Sequence, residues 1–311
     1  MNILFITGGT GFFGKNVLKY ISEVEPDIIK FDEILILTRN SKKFINQHPE
    51  FNDLNIQFIE GDVRTFKLNR NDINYIMHLA TDTDKAANEK DPMNTMDVII
   101  SGTKNVLSFA MMQKQLKKFL FASSGAVYGD IPEDISGVKE YQSFHMDFTD
   151  PINSYALAKR TAEMMCLIYK QNYGIPLVIA RGFAFYGDYL PMDAHFAIGN
   201  FIKDAKEKRI ITIISDGMTK RSYMHSRDLA ICLVQLLISE KTSEVIYNVG
   251  SENAKTLKEW AYFIAENLDG VTVKILNQPQ IGYSACKNYI PNIDRLKKLV
   301  STNNFINLSI Q

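Results

Sequence analysis

The sequence predicts an α/β chain, a doubly wound parallel sheet with a smaller C-terminal lobe, on three observations. Short β-branched runs alternate with longer helical patterns through the first half, the rhythm of parallel strands joined by right-handed crossovers. A glycine-rich turn follows the first of those runs. After Arg181 the alternation gives way to a stretch rich in aromatics, Gly and Pro.

Taken in order, residues 2–7, 34–38, 56–60, 75–79, 118–123 and 177–181 each read as a buried strand: brief, rich in Ile, Leu and Phe, and bounded by polar residues. Helical spacing fills 14–22, 93–113 and 155–171. Lys114, Lys117 and Lys118 are expected to cap the second of these helices, since cations favour a helix C-terminus. Beyond Arg181, residues 182–200 read as irregular and pass into a helix over 199–208. Strands follow at 210–214 and 245–249, with helices at 228–239 and 256–267. One further strand-like run and a Lys-rich helix at 293–300 close the sequence. The expected division is a first domain over 1–181, to which part of 210–250 returns, and a lobe over 182–311.

Composition narrows the functional classes. Lys plus Arg and Asp plus Glu both total 35 in 311 residues, and this zero net charge argues against nucleic acid or acidic lipid as partner. An apolar fraction of 46% with 23% charged residues is that of a folded globular chain. No apolar run approaches the ~20 residues that span a bilayer, and residues 3–7 lack the length and basic flank of a signal peptide. Cys166, Cys232 and Cys286 are scattered, which suits a reducing compartment. The five histidines show no metal-ligand spacing. A soluble, cytoplasmic protein without a metal is expected.

The first strand runs into Gly8-Gly9-Thr10-Gly11-Phe12-Phe13-Gly14. Gly8 permits a tight turn, Gly11 lets the backbone approach a pyrophosphate, and Gly14 allows close helix–strand packing. The helix beginning at Phe12 and Phe13 then offers free N–H groups to the phosphates. These residues predict a dinucleotide site of Rossmann type. The end of the second strand carries Thr38 and Arg39, then Lys42 and Lys43, where an NAD site usually has a carboxylate. That pattern leans to NADP over NAD. Asp62, after the third strand, is set to accept from an adenine amino group.

Tyr155 and Lys159 stand four residues apart on one helix, so both can enter one cleft. A nearby cation favours phenolate over phenol. Ser123 and Ser124 end the fifth strand at the sheet edge where such folds bind ligands, and Ser124 can donate to the same substrate oxygen.

Together these residues resemble the extended short-chain dehydrogenases/reductases, the NAD-dependent epimerase/dehydratase group that modifies nucleotide sugars. The likeness covers most of the chain, from residues 7–14 through Gly61-Asp62-Val63-Arg64, His78-Leu79-Ala80, Gly102-Thr103, Ser123–Gly129 and Tyr155/Lys159. It continues to Arg181-x5-Gly187, Asp216-Gly217, Arg221–His225, Asp228-Leu229-Ala230 and Tyr247–Gly250. It implies a catalytic set of Ser124, Tyr155 and Lys159, and further cofactor contacts from Val63, Leu79, Ala80, Thr81 and Ser123. A nucleotide sugar is implied in the smaller lobe, touched by Ser124, Gly125, Ala126, Ala184, His195, Arg221 and Lys287. Arg221 takes the diphosphate, and His195 takes a hydroxyl or phosphate unless it only packs. A homodimer through a four-helix bundle is also implied.

Three departures matter. Relatives that dehydrate or decarboxylate carry a carboxylate between the catalytic Ser/Thr and Val-Tyr-Gly, and here stand Gly125 and Ala126. Ala184 replaces an asparagine, and Lys287 is the nearest cation where a second arginine is expected. The expected activity is therefore epimerisation, or oxidation or reduction, at C4 of the sugar. A 4,6-dehydratase of the same family and a non-catalytic NADP-sensing protein are the alternatives.

Overall fold

Strand β1 (Ile3–Thr7) is Ile-Leu-Phe-Ile-Thr with all five residues buried, a run that is stable only in a sheet covered on both faces. The computed structural model describes residues 1–311 apart from 25–29, 82–90, 192–196, 279–287, 303–304 and 307–311. In it β1 pairs in parallel with β2 (Glu33–Thr38) on one side and β4 (Tyr75–His78) on the other. β3 (Ile56–Glu60) extends the sheet past β2. Strands β5 (Lys118–Ser124), β6 (Leu177–Gly182) and β10 (Ile246–Val249) extend it past β4, giving the all-parallel order β10-β6-β5-β4-β1-β2-β3. The chain winds outward from β1 twice in opposite directions, so a crevice opens at the C-terminal ends of β1 and β4. The expected doubly wound sheet is present.

Helices α1 (Phe12–Glu23) and α6 (Ser226–Ile238) cover one face, where Val17 and Leu18 share a core with Leu229, Leu233 and Leu237. Helices α3 (Pro92–Met111) and α4 (Ser154–Tyr173) cover the other, with Val106, Leu107, Ala158, Ala162 and Cys166 packed on Phe119 and Ile179. Asp91 caps α3 by accepting from the Asn94 N–H at 3.0 Å, and Pro92 occupies the first turn, where its missing N–H costs nothing. Gly174 ends α4 in the left-handed region, φ +70°.

The smaller lobe is built on short pieces. Strand β9 (Lys220–His225) pairs with β7 (Ala184–Tyr186), β11 (Ala254–Thr256) and β13 (Asn288–Tyr289), while β8 (Ile210–Ile213) pairs with β12 (Thr272–Ile275). Helices α5 (Ala197–Lys208) and α7 (Leu257–Glu266) pack Ile198, Phe201, Trp260 and Ile264 against them. From the stretch 210–250, α6 and β10 join the main sheet, whereas β8 and β9 stay outside it.

Several elements differ from expectation. Residues 182–200 contain strand β7, three residues too short to show a period. The 293–300 helix is one turn, α8 (Asp294–Lys297). Helix α2 (Ser41–Gln47) was not foreseen; Asn40 caps it by accepting from the Lys43 N–H. The three lysines do not cap α3, which ends at Met111. Lys117 donates to Asn2 Oδ1, and Lys118 lies in β5 and ties down the Ser239 carbonyl and Thr242.

One buried ion pair joins helix to sheet on the α4 side. Arg181 Nε and a terminal nitrogen donate to the two Glu163 oxygens at 2.9 and 2.6 Å, and the other terminal nitrogen donates to Glu140 O. The guanidinium also lies over the Tyr128 ring, 4.7 Å from its centroid. Glu163→Gln leaves this guanidinium buried with the whole of its carboxylate charge partner gone and one acceptor oxygen replaced by an amide NH2. Unfolding in urea should show a loss of about 3–5 kcal/mol; a loss below ~1 kcal/mol would mean the pair does not hold the helix.

Candidate active site

The glycine turn has the shape its spacing predicts. Gly8 has φ +75°, and a Cβ there would lie 2.7 Å from the Ala80 nitrogen, so β1 and the β4 exit approach as only glycine allows. A Cβ on Gly14 would lie 2.4 Å from Gly9 Cα, which presses α1 against the turn. Gly11 caps α1 with no side-chain hydrogen bond, so the first N–H groups of a twelve-residue helix face the crevice uncapped. Phe12 and Phe13 turn their rings away into the core, Phe13 edge-on to Phe185 at 5.2 Å, so only their backbone can serve a phosphate.

His78 at the end of β4 braces this turn. Its Nδ1 is 2.6 Å from Thr7 Oγ1 and its Nε2 is 3.1 Å from Thr103 Oγ1, while Thr7 Oγ1 also accepts from the Ala80 N–H. Burial, and then the nearby Lys159, push the ring down to about 3, so it is neutral and structural. Leu79 is buried beside it. Val63 packs under α3, where Gly102 brings the helix to within 2.9 Å of the valine Cγ1 from its own Cβ position.

Asp62 is gripped by Arg64, with Nε and a terminal nitrogen at 2.8 and 2.7 Å. Those bonds hold its carboxyl at about 2, and Arg39 adds to the effect. Thr38 is buried, and its hydroxyl accepts from the Asn40 N–H. Two hydroxyls in the crevice, Thr81 Oγ1 and Ser123 Oγ, are buried without a hydrogen-bond partner. Buried hydroxyls are normally satisfied. A glycine cradle, an uncapped helix start and two orphaned hydroxyls fit a bound dinucleotide.

Helix α4, which carries Tyr155 and Lys159, packs on β5, which ends at Ser124. Lys159 is 2% exposed; its Nζ donates to Ala122 O at 2.8 Å, and it lies 6.0 Å from the Tyr155 ring centroid. Desolvation pulls this ammonium down to about 7, against the opposing pull of Glu163. Ser124 Oγ accepts from the Ala126 N–H at 3.1 Å, which leaves its proton to be donated outward.

Over Gly125 stands a residue the sequence did not disclose. A Cβ on Gly125 would lie 2.7 Å from Tyr289 Oη and 3.0 Å from Phe183. The Tyr289 ring is 4.8 Å from Phe183 and 5.5 Å from the Arg221 guanidinium, which strand pairing sets beside it. Thus Arg221, Tyr289, Phe183 and Gly125 form one wall, with Ala184 at the start of the next strand. Tyr289 lies on a two-residue strand that carries no motif. His195 and Lys287 lie outside the described residues, as does Cys286; Cys166 and Cys232 are buried thiols. Among the described residues no group of three His, Cys, Asp or Glu could hold a metal, and no helix is long and apolar enough to cross a membrane.

Residues 4–250 match the model of the NAD dependent epimerase/dehydratase family. UDP-glucuronic acid decarboxylase 4 of Arabidopsis thaliana is 28% identical over 95% of this chain and 63% of its own length. A trifunctional UDP-glucose 4,6-dehydratase/UDP-4-keto-6-deoxy-D-glucose 3,5-epimerase/UDP-4-keto-L-rhamnose-reductase of the same plant is 28% identical over 82% of this chain and 37% of its own. The chain thus spans less than two thirds of the length of these relatives. The structure of UDP-N-acetylglucosamine 4-epimerase from Methanobrevibacter ruminantium superposes with a TM-score of 0.80 at 22% identity, covering 96% of this chain and 91% of that one, a likeness of fold.

The His78 ring should remain neutral at pH 5 in the folded protein, as long-range nitrogen NMR would report. Its folded value lies below the unfolded one, so its contribution to stability is complete above about 6.5 and is lost as pH falls toward about 3. A ring that protonates near pH 6 in the native state would refute the bracing role.

Proposed function

The chain belongs to the NAD dependent epimerase/dehydratase family, and on that premise we propose an NAD(P)-dependent nucleotide-sugar epimerase or dehydrogenase/reductase working at C4 of the sugar. The observation that carries this reading is the Tyr155, Lys159 and Ser124 set beside the glycine cradle. Lys159 sits on the Ala122 carbonyl next to the Tyr155 ring, and Ser124 keeps a proton to give.

In this reading residues 1–181, with α6 and β10, bind the dinucleotide, and 182–311 mainly hold the nucleotide sugar. Bound in the crevice, the nicotinamide supplies the acceptor and donor of hydride. Tyr155 exchanges a proton at the C4 oxygen, and Ser124 donates to that same oxygen and fixes its direction. Lys159, when protonated, lowers the cost of a phenolate at Tyr155. Arg221 takes the diphosphate, a charge-assisted contact suited to a guanidinium. The exposed Met111, Met164 and Ile168 on α3 and α4, with Met112 just past the end of α3, support a homodimer through those helices.

The names of the sequence relatives favour a second reading, 4,6-dehydration or decarboxylation. Removing a proton beside a ketone, and protonating a leaving hydroxyl, require a side chain that can carry that proton. Gly125 and Ala126 have none, and the Tyr289 hydroxyl occupies the space over Gly125. A non-catalytic sensor would have no use for a buried Lys159, whose desolvation opposes stability.

Mass spectrometry of products from a panel of UDP- and dTDP-sugars, with and without NAD(P)H, tests the proposal. An isomer of equal mass, or a change of two hydrogens, is expected, while loss of water or carbon dioxide would overturn it. Tyr155→Phe should lower turnover by about 10²–10⁴-fold with dinucleotide binding retained, as followed by calorimetry. Lys159→Met should lower turnover similarly yet leave the Tm unchanged or higher, because a desolvated charge is replaced by an apolar chain of like size. A large fall in Tm would show that the lysine is held for the fold.

A further inference from the structure

Strand β7, which begins at Ala184 and pairs with the strand that carries Arg221, leaves the wall through the turn 187–190. Both middle residues of that turn are fastened to the dinucleotide half of the molecule. Asn16 on α1 is 3% exposed, and its Nδ2 donates to Phe12 O at 2.9 Å and to Asp188 O at 3.0 Å. One side-chain amide thus joins the first turn of α1, whose N–H groups face the crevice, to the chain leaving β7. Lys19 adds an ion pair to the Asp188 carboxylate at 2.7 Å. Tyr189 Oη donates to Glu50 Oε1 at 3.0 Å, its ring meets His48 edge-on at 5.6 Å, and Lys15 Nζ lies 4.9 Å from the ring centroid. The φ of Tyr189 is +63°, a left-handed conformation that is costly for a residue with a side chain and persists only where its surroundings impose it. On either side of the turn, Tyr186 and Leu190 are buried in the core of the smaller lobe, against which Phe12 also packs.

We propose that this turn is a clasp coupling the two ligand sites, with Asn16 and Tyr189 as positioning residues. A dinucleotide in the crevice then favours a nucleoside diphosphate at the Arg221 wall, and the reverse. The inference rests on the proposed function for the identity of the two ligands. A diphosphate seated on the N–H groups of α1 fixes the peptide units of that first turn. Phe12 O belongs to one of them, and Asn16 relays its position to Asp188. The strained Tyr189 backbone gives the turn a second, relaxed arrangement, open to it when the contacts with α1 and Glu50 are lost. The first ligand to bind holds the turn in its strained form, and the second meets it already held.

Calorimetric titration of the nucleotide-free full chain tests this, with UDP and dTDP as probes of the wall and NAD⁺ and NADP⁺ as probes of the crevice. In the wild type a saturating dinucleotide should tighten binding of the nucleoside diphosphate by about fivefold or more, and the reverse titration should give the same factor. Asn16→Ala removes both amide bonds and should bring that factor to within about twofold of unity. Tyr189→Leu loses the Glu50 bond and the ring contacts, and should reduce the factor by about half or more. This half-buried position serves where Asn16→Ala lowers the Tm too far for titration. A merely structural role would weaken each ligand alone and leave the factor unmoved. Independent binding of the two ligands by the wild type would overturn the clasp, as would an unchanged factor in either variant that remains folded. Failure of both nucleoside diphosphates to bind, with and without dinucleotide, would overturn the proposed function as well.

Discussion

Helix α4 carries two buried charged residues one turn apart, and each is tied to the main sheet. Lys159 rests on a β5 carbonyl, and Glu163 holds the guanidinium that β6 presents. The Glu163–Arg181 pair does not tolerate a shift of the helix, because a turn of displacement would leave an ion in the core without a partner, whereas Lys159, pulled down to about 7, can shed its proton. The helix is therefore locked in register against the strands whose ends carry Ser123 and Ser124. Tyr155, one turn before Lys159, is carried to the sheet edge on the same helix. The arrangement opposes stability at Lys159 and supports it at Glu163, the combination expected where a fold carries a reactive group.

The cofactor side depends on a different constraint, close approach of backbone to backbone. Gly8 against Ala80, and Gly14 against Gly9, close the gap between β1, β4 and α1 to distances that no side chain permits. The neutral His78, bridging Thr7 and Thr103, fills the remaining space below the turn. What is left open above it is lined by N–H groups and by hydroxyls that the protein does not satisfy. The smaller lobe then closes the neighbouring side with an aromatic and cationic wall. In that wall Tyr289 and Gly125 are one unit, since the phenol occupies the volume that a side chain at 125 would claim.

The six strands and three long helices of the first half were legible because each is long enough to repeat a pattern, and β1 to β6 fall within a residue or two of expectation. Glycine spacing, and the four-residue step from Tyr155 to Lys159, were legible for the same reason, as local geometry. Strands β7, β11 and β13 have two or three residues and no period to read, and with them went Tyr289. Charge alone points the lysines around the start of β5 to a helix end, whereas packing ends that helix earlier and uses Lys117 and Lys118 to tie other segments.

By itself, then, the sequence determined the alternating layers, the glycine cradle and the step from Tyr155 to Lys159, because these depend on neighbours within a few residues. It also determined that no carboxylate follows Ser124. The tertiary structure alone decided which residues from distant segments share a surface: Glu163 with Arg181, Tyr289 with Gly125 and Arg221, Asn16 with Asp188. Those meetings depend on strand order and register. The free energy that sets register is summed over whole faces of buried side chains, so no short stretch of residues contains it.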